Sequence, residues 1–178
     1  GSTGVAGAAA GLPAGTVPLP LVDRPGAPQS EIRVGRVTVR RGHPDEHAPG
    51  VMNTVLGGSF TSRLMQNLRE EKGFTYGAGS YLQMRRGAGA LPPPAAPPTP
   101  ATADAVLEFV REIRRMAGEV VPEGELERAR SYVALRLPQR FEALEDVAAR
   151  VAELVVHDLP DGYWEGYVDA IRGVTAEE

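Results

Sequence analysis

A helix bounded by glycines, within the segment Leu56–Gly77, is the sequence feature that most constrains the fold. Gly57 and Gly58 open the segment with a turn, and Gly73 predicts where the following helix stops because glycine often ends helices. The helix carries its apolar side chains on one side, at Leu64, Met65 and Leu68. An extended run begins at Tyr76, so the chain is expected to turn back after the helix.

Two hydrogen-bond donors flank the predicted helix end, Arg69 before it and Tyr76 after it. A guanidinium and a phenol hydroxyl both donate hydrogen bonds. We expect the turn at Gly73 to bring them to one place, where they could hold a carbonyl or the oxyanion it becomes. The structural alternative is that Arg69 pairs with Glu70 or Glu71 and that Tyr76 is a half-buried strand residue.

This segment resembles part of the non-catalytic half of the pitrilysin family of zinc peptidases, which includes insulin-degrading enzyme and the mitochondrial processing peptidase. The family pattern is a glycine-rich turn, S-R-L, a spacer, L-R-E-x-x-G and a tyrosine, matched at Gly57, Gly58, Ser62, Arg63, Leu64, Leu68, Arg69, Glu70, Gly73 and Tyr76. The resemblance continues in Arg24–Ser30, Glu125–Arg130, Leu137–Glu142 and Val174–Glu178, and so covers most of the chain from about residue 20 onward.

The resemblance implies a half that binds no zinc itself and closes onto a zinc-bearing half around an extended peptide substrate. The partner carries the H-x-x-E-H motif, either as a separate subunit or as an N-terminal domain of the same chain. Arg69 and Tyr76 would reach across as catalytic residues that stabilise the tetrahedral intermediate. Gly57, Gly58 and Ser59 would line the chamber and bind substrate. Alone, the chain is expected to cleave nothing.

Two other functions stay open. Inactive members of this fold serve as scaffold or assembly proteins, although the presence of both Arg69 and Tyr76 argues against that role here. The segment His43–His47 satisfies H-x-x-E-H and would suit a self-sufficient zinc hydrolase using its two histidines. Such chemistry needs both histidines on one helix face, and Pro44, just after Gly42, separates them ahead of any helix. We therefore predict no metal site in this chain and zinc in the partner half.

The amino-acid composition excludes several other classes of function. The chain has no cysteine, which removes thiol catalysis, disulfides and cysteine-type zinc sites. A net charge of −4 with interspersed signs argues against nucleic acid as a partner. Hydrophobic residues make up 42%, and no apolar run is long enough to cross a membrane. We expect a soluble protein of a bacterial-type cytoplasm or periplasm, between which the sequence does not decide.

The order of elements predicts an α+β fold with helices packed on one face of a mostly antiparallel sheet. Residues 1–20, rich in Gly, Ala and Pro, indicate a flexible linker or leader, and residues 21–178 indicate the folded domain. Strands are expected over residues 31–40 and 77–86, followed by four helices from Thr102 onward. The family would continue past Glu178 with a helix and a last strand, so a truncated C-terminus is expected.

Two details of this prediction depend on particular side chains. The segment Leu91–Pro100 has six prolines in nine residues and is expected to be a polyproline II edge segment or a loop, since proline donates no ladder hydrogen bond. A helix from about Glu142 is expected to turn its apolar side chains inward, at Leu144, Val147, Ala148, Val151, Leu154 and Val155.

Overall fold

The computed structural model describes residues 21–91 and 94–178. The predicted linker or leader, residues 1–20, lies outside the described residues, as do Pro92 and Pro93 of the proline-rich segment. In chain order, the described part has two strands, two helices, two further strands and then four helices. This arrangement confirms the predicted α+β class.

The four strands are short and pair in two antiparallel ladders. They are β1 (Ile32–Arg33), β2 (Arg36–Thr38), β3 (Gly89–Leu91) and β4 (Pro94–Ala95). β1 pairs with β4, placing Ile32 opposite Ala95, and β2 pairs with β3, placing Val37 opposite Ala90. The predicted strand over residues 31–40 is thus interrupted beside Gly35. The alternation of apolar and polar residues slips by one position there, so a single regular strand would turn the apolar side chains after the slip to the opposite face of the sheet.

The part of the proline-rich segment that the structure describes lies at Ala95 between two extended segments, which corrects the expectation of an edge. Ala95 pairs with β1 on one side and with Ala78 on the other. Ala90, just before the segment, likewise pairs with β2 and with Gln83. Each of these two points therefore has a neighbour on both sides, and both belong to the interior of the sheet.

Proline carbonyls maintain this pairing where proline nitrogens cannot. The Ser30 N–H donates to the Pro97 carbonyl at 3.0 Å, and the Thr99 N–H donates to the Pro28 carbonyl at 3.2 Å. A proline accepts as well as any residue but donates nothing, so pairing survives as short ladders and single bridges. The prediction that no regular central strand forms here is confirmed.

The run over residues 77–86 is not the regular strand that its sequence predicts. It pairs at single points, Ala78 and Gln83, without a continuous ladder. Between them, the Ser80 N–H donates to the Gly57 carbonyl at 2.9 Å, which takes a backbone donor away from the sheet. The run therefore connects the sheet to the glycine turn.

Two of the helices change from α to π geometry within the segment that the sequence singles out. The first, α1 (His47–Asn53), continues as a π-helix over Thr54–Gly58, and α2 (Arg63–Met65) continues as a π-helix over Gln66–Glu71. π-Helices are rare and occur often at functional sites. The remaining helices are α3 (Thr102–Gly118), α4 (Glu123–Leu135), α5 (Leu144–His157) and α6 (Tyr167–Gly173).

The core consists of two clusters that share the first helix. One cluster packs the sheet against α2 and α3 and contains Ile32, Leu56, Leu64, Leu68, Ala78, Ala95, Ala105 and Phe109. The other packs α1 against α4 and α6 and contains Val51, Val55, Leu126, Ala129, Ala134, Tyr167, Ile171 and Val174. The helix that begins at His47 contributes to both, so its π-helical end is fixed from two sides.

The prediction that α5 turns its apolar side chains inward is wrong. None of its residues is buried, and Leu144 and Val155 are 86% and 73% exposed. The periodicity correctly predicts an amphipathic helix, but no part of residues 21–91 and 94–178 covers its apolar side. Helical periodicity specifies a face and not its partner.

The starts of α3 and α4 have no side-chain cap. Thr102 does not cap α3, because its hydroxyl donates to the Thr99 carbonyl at 2.7 Å in the preceding turn. Pro122 precedes α4 as its N-cap and is not its first residue. Within the described residues, no helix has the length and apolar character to span a membrane.

Candidate functional site

The glycine turn is held by close backbone contacts. A Cβ on Gly57 would lie 2.4 Å from the Ser80 nitrogen, and a Cβ on Gly58 would lie 2.6 Å from Asn53 Nδ2. The Gly57 carbonyl accepts the Ser80 N–H at 2.9 Å across the same contact. These close contacts leave no room for a side chain and therefore explain why both positions are glycine. Their role in binding substrate stays a prediction.

Ser59 ends the π-helix and leads to an exposed aromatic ring. Its backbone is extended, and its hydroxyl donates to the Thr54 carbonyl at 3.2 Å. The next residue, Phe60, is 61% exposed. The Ser59 hydroxyl thus stabilises the turn in this structure.

The helix that carries Arg69 is anchored on its apolar side and by a buried ion pair. Leu64 and Leu68 are fully buried. Arg63 donates to Glu125 of α4 from Nε at 2.9 Å and from Nη2 at 2.7 Å. These hydrogen bonds raise the pKa of Arg63. Arginine is usually a surface residue, whereas here Arg63 forms a buried ion pair that joins two helices.

A second polar contact joins this helix to α3. The buried Asn67 donates from Nδ2 to Glu108 at 2.8 Å and to Glu112 at 2.7 Å. The hydrogen bond from Asn67 is the main reason why the pKa of Glu108 is lowered. The base of Arg69 is therefore fixed to two helices, α3 and α4.

The helix ends as predicted at Gly73, whose φ is +62°. The Gly73 N–H donates to the Arg69 carbonyl at 3.1 Å, and the Phe74 N–H donates to the Leu68 carbonyl at 2.8 Å. This is a glycine-capped helix end in which each closing hydrogen bond spans one residue more than in a Schellman motif, because the last turn is π-helical. Left-handed backbone at this point favours glycine, which has no Cβ to clash.

Both predicted donors reach the surface, but they do not contact each other. Tyr76 is 94% exposed, which contradicts the alternative of a half-buried strand residue. The Arg69 side chain is 37% exposed, and its Nε lies 3.4 Å from Glu70, so the pairing expected under the structural alternative is present. Among residues 21–91 and 94–178, no hydrogen bond links Arg69 to Tyr76.

Arg69 has a contact that the sequence did not indicate. Its Cζ lies 5.0 Å from the centroid of the exposed Phe60 ring, within the range of a cation–π interaction. Their separation of nine positions along the chain corresponds to no helical spacing, and no periodicity marks the π-helical turn either. Only the tertiary structure identifies this contact.

The H-x-x-E-H segment is engaged in packing. His43 precedes α1, while His47 is the first residue of that helix, so the two do not lie one turn apart on a helix. The Glu46 carboxylate accepts the Tyr163 hydroxyl at 2.8 Å, and the His47 ring packs edge-on against Tyr167 at 5.3 Å. Burial lowers the pKa of His47. Within the described residues, no three His, Cys, Asp or Glu side chains are grouped to hold a metal ion.

Comparisons with known proteins agree with this fold. The family model described as "Peptidase M16 inactive domain" matches residues 13–133. An uncharacterized zinc protease of Mycobacterium tuberculosis, Rv2782c, is 30% identical over 167 residues, which are 92% of this chain and 37% of that protein. The chain thus spans little more than a third of the length of this relative.

Solved structures give the same fold at lower identity. The crystal structure of a peptidase M16 inactive domain from Pseudomonas fluorescens has a TM-score of 0.77 at 21% identity, over 84% of this chain and 36% of that one. The inactive peptidase domain of a putative zinc protease from Bordetella parapertussis has a TM-score of 0.71 at 18% identity, over 88% of this chain and 84% of that one. The chain therefore belongs to the peptidase M16 family, as an inactive domain of that family.

Proposed function

We propose that this chain is the non-zinc-binding half of an M16 metalloendopeptidase and that it supplies Arg69 and Tyr76 to the zinc site of a catalytic half. The catalytic half, with its H-x-x-E-H motif, is a separate subunit or a domain of the same longer protein. The name of the mycobacterial relative, a zinc protease, and its greater length support a larger enzyme. The packing of Glu46 and His47 supports placing the zinc outside this chain.

The observation that carries this proposal is the presentation of Arg69 by a supported helix, with the exposed Tyr76 three residues beyond the glycine that ends it. The helix before Arg69 is fixed by Leu64 and Leu68 in the core and by the buried Arg63 pair. Its glycine-capped end leads to Tyr76, whose ring is almost fully exposed. A donor held on a supported element loses little freedom when it binds charge, and this preorganisation is what a catalytic donor requires.

The chemistry proposed for these residues is hydrogen bonding to charge that develops on the substrate. Attack of water on a peptide carbonyl places negative charge on the carbonyl oxygen. The guanidinium of Arg69 and the hydroxyl of Tyr76 would donate to that oxygen or to the neighbouring peptide backbone. The zinc of the catalytic half would supply the activated water. Gly57, Gly58 and Ser59 would form the adjoining chamber wall.

The first prediction is that Arg69→Ala and Tyr76→Phe each lower turnover in the assembled peptidase by about two to three orders of magnitude, the usual effect of removing one oxyanion donor. The measurement is kcat and KM on an internally quenched peptide, with assembly followed by gel filtration. Arg114→Ala, an exposed arginine on α3, is the matched control and should leave turnover unchanged.

Equal turnover in wild type and in both variants, with assembly intact, would contradict the catalytic role. A scaffold function would then be the better interpretation, because a scaffold needs assembly and no donors. Loss of assembly in Arg69→Ala would show that this arginine holds the two halves together and not the transition state.

A further inference from the structure

A polar cavity adjoins the glycine turn. It has a volume of about 500 Å³, within the range typical of ligand sites. Gly58 and Ser80 form one wall, α1 forms another, and the C-terminal end of α4 closes it from the opposite side. No residue proposed for catalysis lines this cavity.

Positive charge exceeds negative charge in this lining. Arg41, Arg136 and Arg140 line the cavity, and neither Arg136 nor Arg140 has a carboxylate within 4.0 Å among the described residues. The Nε of the buried Arg41 has no hydrogen-bond partner in the described part of the chain. Arg41 itself pairs with Glu46 and Glu153, so an anionic group in the cavity would meet spare hydrogen-bonding capacity chiefly at Arg136 and Arg140.

The acidic residues in the lining are fewer, and one of them is already engaged. Glu46 pairs with Arg41 at 3.7 Å and accepts the Tyr163 hydroxyl, so its charge is largely balanced. The other is Asp146, in the first turn of α5. His47 also lines the cavity, and because burial lowers its pKa it adds no charge at neutral pH.

Two exposed tyrosines, Tyr81 and Tyr132, stand in the lining beside these cations. The guanidinium of Arg136 lies over the Tyr132 ring, with Cζ 5.1 Å from its centroid. Tyrosine and arginine are enriched where proteins bind peptides and other proteins, because each offers a flat surface together with hydrogen-bond donors. The cavity thus combines positive charge with aromatic faces.

Neither close packing nor backbone conformation explains one glycine in the lining. Gly50 lies inside α1, where glycine costs about 0.5–1 kcal/mol relative to alanine. Its φ is not positive, and a Cβ at this position would meet nothing within 4 Å. In contrast to Gly57 and Gly58, its lack of a side chain serves no close contact. A side chain added at this lining position would have open space beside it.

We propose that this cavity binds an acidic segment of a peptide, with carboxylates held by Arg136 and Arg140. The peptide is taken to be the substrate, which rests on the proposed function. Because neither Arg69 nor Tyr76 lines the cavity, the bound segment would lie outside the catalytic centre. The cavity would therefore favour peptides that carry acidic residues at a distance from the bond that is cleaved.

The test is calorimetric binding of an acetylated hexapeptide of alternating Ala and Glu to the assembled peptidase, with its zinc chelated so that nothing is cleaved. An Ala/Lys hexapeptide is the comparison. We expect the Glu peptide to bind at least about tenfold more tightly, and the double variant Arg136→Ala/Arg140→Ala to weaken its binding about tenfold. Arg114→Ala is the matched control and should bind as wild type does.

A second variant tests the cavity without removing charge. Gly50→Leu should fill the open space beside α1 and abolish binding of the Glu peptide, while circular dichroism and urea unfolding show an intact fold. Gly124→Leu, in the first turn of α4 with no atom closer than 3.7 Å to an added Cβ, is its control. Equal binding of both peptides, or unchanged binding in Gly50→Leu, would overturn the proposal.

The turnover and binding measurements distinguish failure of the proposed function from failure of the cavity proposal. If Arg69→Ala loses turnover while the cavity variants bind the Glu peptide normally, the cavity proposal is wrong and the proposed function stands. If the cavity variants lose binding while Arg69→Ala keeps full turnover, the acidic-peptide site stands and the catalytic role of Arg69 is wrong.

Discussion

At the residue scale, two arginines of one short motif have opposite environments. Arg63 is buried and makes two hydrogen bonds to Glu125, whereas Arg69, six residues later, is partly exposed beside Phe60. Six residues on a helix whose second half is π-helical do not return to the same face. Arg63 therefore maintains the fold, and Arg69 is available for chemistry.

The exposed ring of Phe60 gives a prediction for the orientation of Arg69. Phe60→Leu should lower kcat by a factor of about 2–5 with KM nearly unchanged, because an exposed cation–π contact contributes about 0.5–1 kcal/mol. Phe60→Tyr, which keeps the ring, should restore the rate. In an Arg69→Ala background, Phe60→Leu should have no further effect on kcat, as a double-mutant cycle would show. An equal loss in both backgrounds would mean that Phe60 acts independently of Arg69.

At the element scale, the glycines of the first helix differ in what surrounds them. Gly57 is in contact with the backbone of Ser80, and Gly58 is in contact with Asn53, so the π-helical end requires both. Gly50, two turns earlier, has open space beside it. Glycines in one helix thus differ in whether a side chain could replace their hydrogen, and the neighbouring elements decide this at each position.

This contrast predicts opposite effects of the same substitution. Gly57→Ala should lower the free energy of unfolding by about 3 kcal/mol, since its Cβ would lie 2.4 Å from a backbone nitrogen that cannot move without the sheet. Gly50→Ala should raise it by about 0.5–1 kcal/mol, the ordinary helix preference for alanine. Urea unfolding measures both. A stabilising Gly57→Ala would show that the π-helical end relaxes freely.

At the scale of the whole molecule, an aromatic and charged cluster joins distant parts of the chain. Arg41 lies over the rings of Tyr163 and Trp164, with Cζ 5.3 Å and 5.7 Å from their centroids, and it also pairs with Glu153 of α5. His47 packs between Tyr163 and the first residue of α6. The start of α1 is thereby fixed to the C-terminal helices.

The burial of His47 in this cluster predicts how stability depends on pH. Its pKa is lowered in the folded state, so the unfolded chain takes up a proton first as the pH falls below about 6.5. Stability from this group is complete above that pH and declines as the pH falls toward the lowered folded pKa. His47→Phe, which keeps an aromatic ring, should flatten the decline in the free energy of unfolding between pH 7 and pH 5. An identical decline in both proteins would assign it to other groups.

The sequence by itself determined the family resemblance, the α+β class, the helix stop at Gly73 and the exceptional character of the proline-rich segment. These follow from local chemistry, since left-handed backbone favours glycine and the proline nitrogen cannot donate a hydrogen bond. Only the tertiary structure decided that this segment lies inside the sheet, that α5 exposes its apolar side, that Arg63 is buried and that Phe60 supports Arg69. Those outcomes depend on which elements meet in space, and periodicity along one chain specifies faces without specifying their partners.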